Sequence, residues 1–256
     1  MILSLVFIFL FGLIVGSFLN AVIWRTYSRT PLWQGRSMCP TCRHTLSWQD
    51  LIPVASFFLL RARCRYCAIP ISWQYPLVEL ATAVLFLAMF YFSVQGGFGL
   101  FYLWFIAASL IVIFVYDLKH YIIPDVVVFP AIAITLFYHL IVSNFEFRIS
   151  NFIFSGVAAA VFFLIIVLIS RGRWMGLGDV KLALLMGLVL GFPRIIVAIF
   201  FAFVVGAALS LFLVFFRKKQ WKSQVPFAPF LVLGTFLALF FGAPIVNWYL
   251  SMFLPL

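Results

Sequence analysis

Residues 99–143 have the sequence GLFYLWFIAASLIVIFVYDLKHYIIPDVVVFPAIAITLFYHLIVS, and this stretch decides the fold. Two apolar runs, 99–116 and 126–143, flank the short polar turn 117–125. Each run approaches the roughly 20 residues that an α-helix needs to cross a bilayer. We therefore predict two membrane-spanning helices joined by a polar turn at one membrane surface.

The same pattern recurs along the whole chain. Of its 256 residues, 66% are hydrophobic and only 9% are charged, a composition typical of polytopic helical membrane proteins and not of soluble domains. We predict an all-α polytopic membrane protein with about eight transmembrane helices. The remaining apolar segments are 1–23, 78–95, 152–169, 194–216 and 226–250, with a shorter one at about 180–192.

A polar insert interrupts this pattern after the first helix. We predict that residues 1–23 are the first transmembrane helix, that residues 24–77 form the insert, and that residues 78–256 form a seven-helix membrane core. The insert is the largest polar part of the chain, and it holds all four cysteines. Its function therefore has to be sought separately from that of the helices.

Positive charge is distributed unevenly about the predicted membrane. A net charge of +11 would suggest a nucleic-acid partner in a soluble protein, but here fifteen of the Lys and Arg residues lie on one side and two on the other. Cytoplasmic loops carry the excess of Lys and Arg. We therefore predict a cytoplasmic insert, both termini outside, and the lipid bilayer instead of nucleic acid as partner. The predicted cytoplasmic residues are Arg25, Arg29, Arg36, Arg43, Arg61, Arg63, Arg65, Lys119, Arg171, Arg173, Lys181, Arg217, Lys218, Lys219 and Lys222, and those outside are Arg148 and Arg194.

Two C-x-x-C pairs, Cys39 with Cys42 and Cys64 with Cys67, lie in the insert. Each pair can turn two thiolates inward, and two such pairs complete a tetrahedral zinc site. Disulfides within the pairs are the alternative, and zinc is favoured because thiols stay reduced in the cytoplasm. Four protein ligands leave no open position, so the predicted zinc-ribbon-like site is structural.

Four of the six acidic residues lie at the predicted cytoplasmic ends of helices, namely Glu79, Asp117, Asp125 and Asp179. Ionisable residues within membrane segments are costly, and their presence favours a function. Asp117 ends an apolar helix, where the partial negative charge of the helix C-terminus disfavours an acid. Asp125 follows Pro124 and is predicted to cap the next helix.

Asp179 follows Gly176 and Gly178 in the stretch WMGLGDVKLALL (174–185). One interpretation is that it caps the following helix. The other is that it pairs with Asp117, because two close carboxyl groups that share a proton can activate water, as in an aspartic peptidase. The two glycines would let the backbone approach a substrate strand or another helix. Lys181 is either an ion-pair partner or an interfacial residue that extends towards the membrane surface.

A proton-coupled transporter is the competing class of protein, because transporters also place acids within helix bundles. The acids here lie at one membrane edge instead of following a path across the bilayer, and no inverted repeat is visible. Both features favour the peptidase.

Several motifs follow one another in a fixed order with set spacing. They are GSFLNAVIWR (16–25), the two C-x-x-C pairs, IPVASFFLLRARCRYC (52–67), YPLVELATA (75–83), YDLKHYIIPD (116–125), GLGDVKLALLMG (176–187) and PFAPFLVLG (226–234). Along nearly its whole length, the chain thereby resembles the type IV prepilin peptidase (leader peptidase) family of GxGD membrane aspartic proteases.

The resemblance implies a peptidase of the bacterial inner membrane that cleaves type IV prepilins or type II secretion pseudopilins. Cleavage would fall on the cytoplasmic side, after a glycine that precedes the hydrophobic pilin segment. Asp117 and Asp179 match the catalytic aspartates of the family. The residues expected to support them are Gly176, Gly178, Lys181, Asp125 and Glu79.

The resemblance also implies a second activity, because many family members methylate the new pilin N-terminus with S-adenosylmethionine. Two positions depart from the family pattern: Ala62, two residues before Cys64, and Ala228 in PFAPF both replace a usual glycine. A left-handed backbone at Ala62 would strain alanine, whereas an ordinary backbone would accept it without consequence, and both interpretations are open. We therefore expect methylation to be weak or absent, whereas the peptidase motifs are intact.

Overall fold

The computed structural model describes residues 2–31, 35–92, 97–142, 148–215 and 225–253. Within these ranges the chain forms nine α-helices and no strand, which confirms the predicted all-α fold. The helices are α1 (Ile2–Ser28), α2 (Ala55–Leu59), α3 (Gln74–Phe92), α4 (Phe98–His120), α5 (Asp125–Val142), α6 (Arg148–Ser170), α7 (Leu177–Leu190), α8 (Arg194–Phe215) and α9 (Ala228–Phe253).

Seven of the described helices, all except α2 and α7, are long and apolar enough to cross a bilayer. The chain is therefore a multi-pass membrane protein, as predicted. The short predicted segment 180–192 corresponds to α7, which has 14 residues and begins earlier, at Leu177. Asp179 consequently lies inside the first turn of this helix instead of preceding it.

Part of the charge pattern lies outside the described residues. This applies to the basic turn 217–224 and to Glu146. The cytoplasmic position of the insert and the outward position of the termini stay predictions from the distribution of Lys and Arg.

The chain divides into two compact units, residues 1–112 and 113–256, and α4 runs from one into the other. This division rests on which residues contact one another. The predicted parts 1–23, 24–77 and 78–256 rest instead on the role expected of each part, so that domain organisation stays a prediction.

In the first unit, α1 packs closely against α3. A methyl group added at Gly12 would lie 2.5 Å from the Cα atom of Ala83, and one added at Gly16 would lie 2.6 Å from the Cα atom of Glu79. Because real side chains do not fit at these separations, the Gly-x-x-x-Gly face of α1 is what allows the two antiparallel helices to approach. This contact positions Glu79 beside α1.

In the second unit, α7 is enclosed by α5, α6, α8 and α9. Every residue from Gly178 to Gly191 is buried or half-buried. The closest contact is at Gly187, where an added methyl group would lie 2.5 Å from the Cα atom of Gly156 in α6. The helix that carries Asp179 is thus fixed by packing on several sides.

His139 of α5 has a structural role in the same unit. Its Nε2 atom lies 2.9 Å from the carbonyl oxygen of Leu188, near the end of α7, and its ring stacks on Phe152 at a centroid distance of 4.1 Å. A buried imidazole with these contacts satisfies a carbonyl group at the helix C-terminus.

Candidate functional site

Asp117 lies near the C-terminal end of α4 and is almost completely buried, with 5% of its surface exposed. The backbone N–H of Ala228, at the start of α9, donates to its carboxyl group. The second oxygen, Oδ2, is buried and has no hydrogen-bond partner among the described residues. A buried carboxyl oxygen without a partner is costly and therefore requires an explanation.

Asp179 lies in the first turn of α7 and is 9% exposed. Its Oδ2 atom accepts a hydrogen bond of 3.2 Å from the backbone N–H of Gly176, the residue that precedes the helix. Because Gly176 has no side chain, only this half of a reciprocal cap is present. Asp179 therefore binds the residue before the helix from within the first turn, instead of preceding the helix as the predicted cap, and it uses one carboxyl oxygen.

The structure brings Asp117 and Asp179 together within the second unit. The two carboxyl groups lie close enough for the charge of Asp117 to act on Asp179. Two buried carboxyl groups within electrostatic reach repel each other when both are ionised, so the pair favours a state with one protonated and one ionised carboxyl group. One protonated and one ionised carboxyl can then act as acid and base on the same water molecule.

The two glycines before Asp179 differ in what surrounds them. A methyl group added at Gly178 would lie 3.1 Å from the Cβ atom of Ile123, so this glycine allows the turn before α5 to pack against α7. Among the residues that the structure describes, a methyl group added at Gly176 would meet no atom closer than 3.8 Å. Packing against the rest of the chain therefore explains why a glycine is present at position 178, but it does not explain the glycine at position 176.

Lys181 forms an ion pair with Asp125, with 2.7 Å between Nζ and Oδ1. The ammonium group also lies 5.0 Å from the centre of the Phe129 ring, a favourable position for a cation. Asp125 is the first residue of α5, and the carbonyl oxygen of Pro124 accepts the first helical N–H groups. Asp125 therefore connects α5 to α7 through its side chain, instead of acting as the predicted helix cap.

Glu79 lies in the first unit, where it is 6% exposed. Its Oε2 atom accepts a hydrogen bond of 2.7 Å from the backbone N–H of Val54 in the insert, and the Ser17 side chain of α1 also interacts with the carboxyl group. The structure thus places this predicted supporting residue at the joint between the insert and the membrane helices.

Ala228 was not predicted to lie at the site. Its side chain is completely buried, and its N–H group faces Asp117. The motif PFAPF marks the position in the sequence, but no pattern of spacing indicates that its backbone reaches a residue more than a hundred positions earlier. A backbone donor at this point can hold the carboxyl group of Asp117 in one orientation.

The four cysteines of the insert converge on one point. Their Sγ atoms all lie within 4.8 Å of one another, and those of Cys39 and Cys67 are 3.9 Å apart. In a tetrahedral zinc–thiolate site with Zn–S bonds of about 2.3 Å, neighbouring sulfur atoms are about 3.8 Å apart. None of the four is in a disulfide, and a disulfide would need about 2.05 Å between sulfur atoms. The donor set therefore fits a metal ion.

Hydrogen bonds near the sulfur atoms act in opposite directions on two of the cysteines. Burial raises the pKa of Cys39, but hydrogen bonds from the backbone N–H groups of Cys42 and Thr41 contribute to lowering it to about 7. The backbone N–H of Ile69 lowers the pKa of Cys67, but burial and hydrogen bonding with the other cysteines raise it to about 12. Neighbouring thiolates therefore hinder one another's deprotonation unless a cation lies among them.

Asp50 holds the two halves of the insert together. It accepts hydrogen bonds from Ser47, from Arg65 at 2.7 Å and from the Tyr66 hydroxyl group at 3.2 Å. Burial by itself raises the pKa of Asp50, but the hydrogen bonds from Arg65 and Ser47 outweigh burial and hold the pKa below its ordinary value. His44 is exposed and its ring contacts that of Tyr66 at a tilt, outside the cluster of four sulfur atoms, as predicted.

Comparison with known proteins gives the family. The model of the Bacterial Peptidase A24 N-terminal domain matches residues 10–93, and that of the Type IV leader peptidase family matches residues 104–211. No solved structure matches the chain significantly.

Three relatives, each named a prepilin leader peptidase/N-methyltransferase, match nearly the whole chain. That of Bacillus subtilis is 32% identical over 96% of this chain and 97% of its own length. That of Aeromonas hydrophila is 30% identical over 96% of this chain and 94% of its own length, and that of Pseudomonas aeruginosa is 30% identical over 94% and 92%. The chain belongs to the type IV leader peptidase family. The predicted family and the prediction of an enzyme are confirmed, and the transporter alternative finds no support.

Proposed function

We propose that this protein is an aspartic endopeptidase that removes the leader peptide of type IV prepilins or type II secretion pseudopilins. The observation that carries the proposal is the pairing of Asp117 and Asp179, two buried carboxyl groups within electrostatic reach of each other. Buried acids in a membrane protein are costly unless they are used or paired. The names of the relatives support the substrate class.

In the proposed mechanism, the two aspartates share one proton and hold a water molecule between them. The ionised carboxyl group removes a proton from the water, while the protonated one donates a hydrogen bond to the scissile carbonyl oxygen. The hydrogen bonds from Gly176 and Ala228 orient one carboxyl group each. The space beside Gly176 is open as far as the described residues extend, which gives an extended substrate strand room to approach the dyad.

We propose that cleavage occurs on the cytoplasmic side of the bacterial inner membrane, after a glycine. The support is the excess of Lys and Arg on the side of the membrane where the predicted insert and both aspartates lie. The leader peptide of a prepilin is short and basic, so it stays on the same side as these loops.

Replacement of either aspartate by asparagine tests the dyad. Asp117→Asn and Asp179→Asn are each expected to reduce cleavage of a prepilin in detergent by more than about a hundredfold, because neither asparagine can exchange a proton. Asp125→Asn, which only weakens an exposed ion pair with Lys181, is the matched control and should keep most of the activity. Substantial residual cleavage by either dyad variant, with normal membrane insertion, would contradict the assignment.

We also propose that the four cysteines hold one structural zinc ion. All four ligand positions are protein thiolates, so the metal would stabilise the insert and leave no site for water activation. Metal analysis of the purified protein is expected to give about one zinc per chain, and much less in Cys39→Ser or Cys64→Ser. A metal-free wild-type protein, or disulfides trapped during isolation, would contradict this proposal.

Methylation of the mature pilin N-terminus is proposed to be a weak second activity that uses S-adenosylmethionine. The relatives carry N-methyltransferase in their names, which supports the presence of the activity. Ala62 has a backbone φ of 56°, the left-handed conformation for which glycine is suited. This strained position in the insert supports the expectation that the activity is reduced.

A further inference from the structure

The insert contains a segment, residues 51–60, that is held against α3 beyond the first turn of that helix. Glu79, which accepts the Val54 N–H at 2.7 Å, is five residues into α3, or about 7.5 Å along the helix axis. With 19 residues, α3 is about 28 Å long, close to the roughly 30 Å thickness of the hydrocarbon layer. Val54 therefore lies beside the second turn of a helix long enough to cross the membrane, and not at the tip of that helix.

Val54 adopts an unusual backbone conformation, with φ of 61° and ψ of −51°. The Ala55 N–H donates to the Pro53 carbonyl oxygen, so that a three-residue γ-turn of the rare, strained form is centred on a β-branched residue. Strain of this kind persists only where the surroundings impose it. Here the buried carboxylate of Glu79 holds the turn in place.

Several backbone N–H groups of the segment have partners within the protein. Irregular chain at membrane depth is tolerated only where its polar groups are paired within the protein. Pro53 has no N–H group, and Glu79 satisfies that of Val54. The further bonds each join a backbone N–H group to a backbone carbonyl oxygen. Ser56 donates to Ile52, Phe58 to Val54, Leu60 to Ser56, Arg61 to Phe58, Ala62 to Phe57 and Arg63 to Leu60.

The same segment exposes large apolar side chains, which together with Trp73 form what we call the insert patch. Leu59 is 80% exposed, Trp73 60% and Phe58 58%. Trp73 directly precedes α3, and its ring contacts Phe58 and the buried Phe57, so the patch lies beside the start of a helix long enough to cross the membrane. The other members of the patch are Leu51 and Ile52.

Two exposed arginines, Arg61 and Arg63, follow the patch directly. Apolar and tryptophan side chains beside basic residues are the combination that binds the boundary between acyl chains and anionic headgroups. Both ends of the insert are connected to membrane-spanning helices, α1 and α3, which keeps the patch close to the lipid. Charge, apolar exposure and position thus favour the bilayer as the group that covers the patch.

We propose that residues 51–60 form a re-entrant segment whose insert patch is embedded in the interfacial layer of the membrane. The side chains of Phe58, Leu59 and Trp73 lie among the acyl chains, and Arg61 and Arg63 contact lipid phosphates. Glu79 anchors the segment by binding the strained turn at Val54. The insert is accordingly a membrane-bound element, not a cytoplasmic domain on a tether.

Photo-crosslinking in the full-length enzyme tests the proposal. Benzoylphenylalanine is placed at Phe58 or Leu59, the protein is reconstituted in vesicles of phosphatidylethanolamine and phosphatidylglycerol, and irradiated adducts are identified by mass spectrometry. Tyr66, exposed in the same insert beside the cysteine cluster, is the matched control. Lipid adducts at Phe58 and Leu59 should exceed those at Tyr66 by about tenfold.

Two results of the crosslinking experiment would contradict the proposal. Lipid adducts no more frequent than at Tyr66 would overturn the proposal, as would crosslinks at Phe58 and Leu59 that join a second polypeptide instead of lipid. Should the Phe58 variant fail to fold, Leu59 carries the test, because its side chain is the most exposed of the patch. Neither position belongs to the proposed dyad, so the result does not depend on whether Asp117 and Asp179 perform the cleavage.

Discussion

Replacing Ala62 with glycine is expected to stabilise the insert. Ala62 has a φ of 56°, and its conformation is fixed at both ends, since its N–H donates to Phe57 at 2.8 Å and its carbonyl oxygen accepts from Ile71 at 2.7 Å. A left-handed conformation costs an L-residue about 1–2 kcal/mol, which glycine does not incur. The greater freedom of glycine in the opened chain offsets about 0.4–1 kcal/mol of this gain. The net stabilisation of Ala62→Gly should therefore be about 0.5–1 kcal/mol.

The rate at which a thiol reagent modifies the four cysteines measures this difference. Where opening of the insert is fast and reversible, the labelling rate follows the population of the open form, and a stabilisation of this size slows it about two- to fivefold. Ala68→Gly, at a φ of 56° directly after the second C-x-x-C pair, should act in the same direction. Ala55→Gly, within α2, is the control and should not slow labelling.

Labelling of Ala62→Gly as fast as that of the wild type would refute the argument from backbone strain. The same variant tests the proposed weakness of methylation. Its processed pilin, supplied with S-adenosylmethionine, should contain more of the product that is heavier by one methyl group. Equal and complete methylation by both proteins would show that Ala62 does not limit the transfer.

Two further substitutions are informative. Gly178→Ala should destabilise the protein by about 1–3 kcal/mol, because its new methyl group would crowd Ile123. Gly176→Ala, in contrast, should leave the melting temperature in detergent unchanged. Equal melting temperatures for both variants would contradict the packing role of Gly178. Glu79→Leu should accelerate thiol labelling of the insert, and adding Val54→Gly should restore much of the loss, because glycine adopts the turn without strain. A double variant no better than Glu79→Leu alone would show that Glu79 does not act by holding the turn.

The membrane-spanning helices could be predicted from the sequence because the thickness of the hydrocarbon layer sets the length of each apolar run. The cysteine cluster could be predicted because the spacing within each C-x-x-C pair is itself the geometry of the site. Both are local properties of the chain. For the same reason Asp117 and Asp179 could be named as candidates, since each interrupts an apolar run.

Contacts between distant segments could not be predicted. No sequence pattern indicates that the N–H of Ala228 reaches Asp117 or that Glu79 binds Val54, because each depends on how the helices pack. Lys181 is an instructive case, since both an ion pair and a position at the membrane surface were open. Residues two apart on a helix point to different sides, and Lys181 accordingly pairs with Asp125 of α5 instead of facing Asp179.

The enclosure of α7 has a consequence for how the enzyme responds to its membrane. A helix of 14 residues is about 21 Å long, well short of the roughly 30 Å hydrocarbon layer. In contact with lipid, such a helix would thin the bilayer or draw headgroups inward, which is hydrophobic mismatch. Here α7 contacts the surrounding helices instead of lipid, so its short length does not have to match the bilayer. The depth of Asp179 is therefore set by the packing of α7 against these helices and not by direct contact of α7 with lipid.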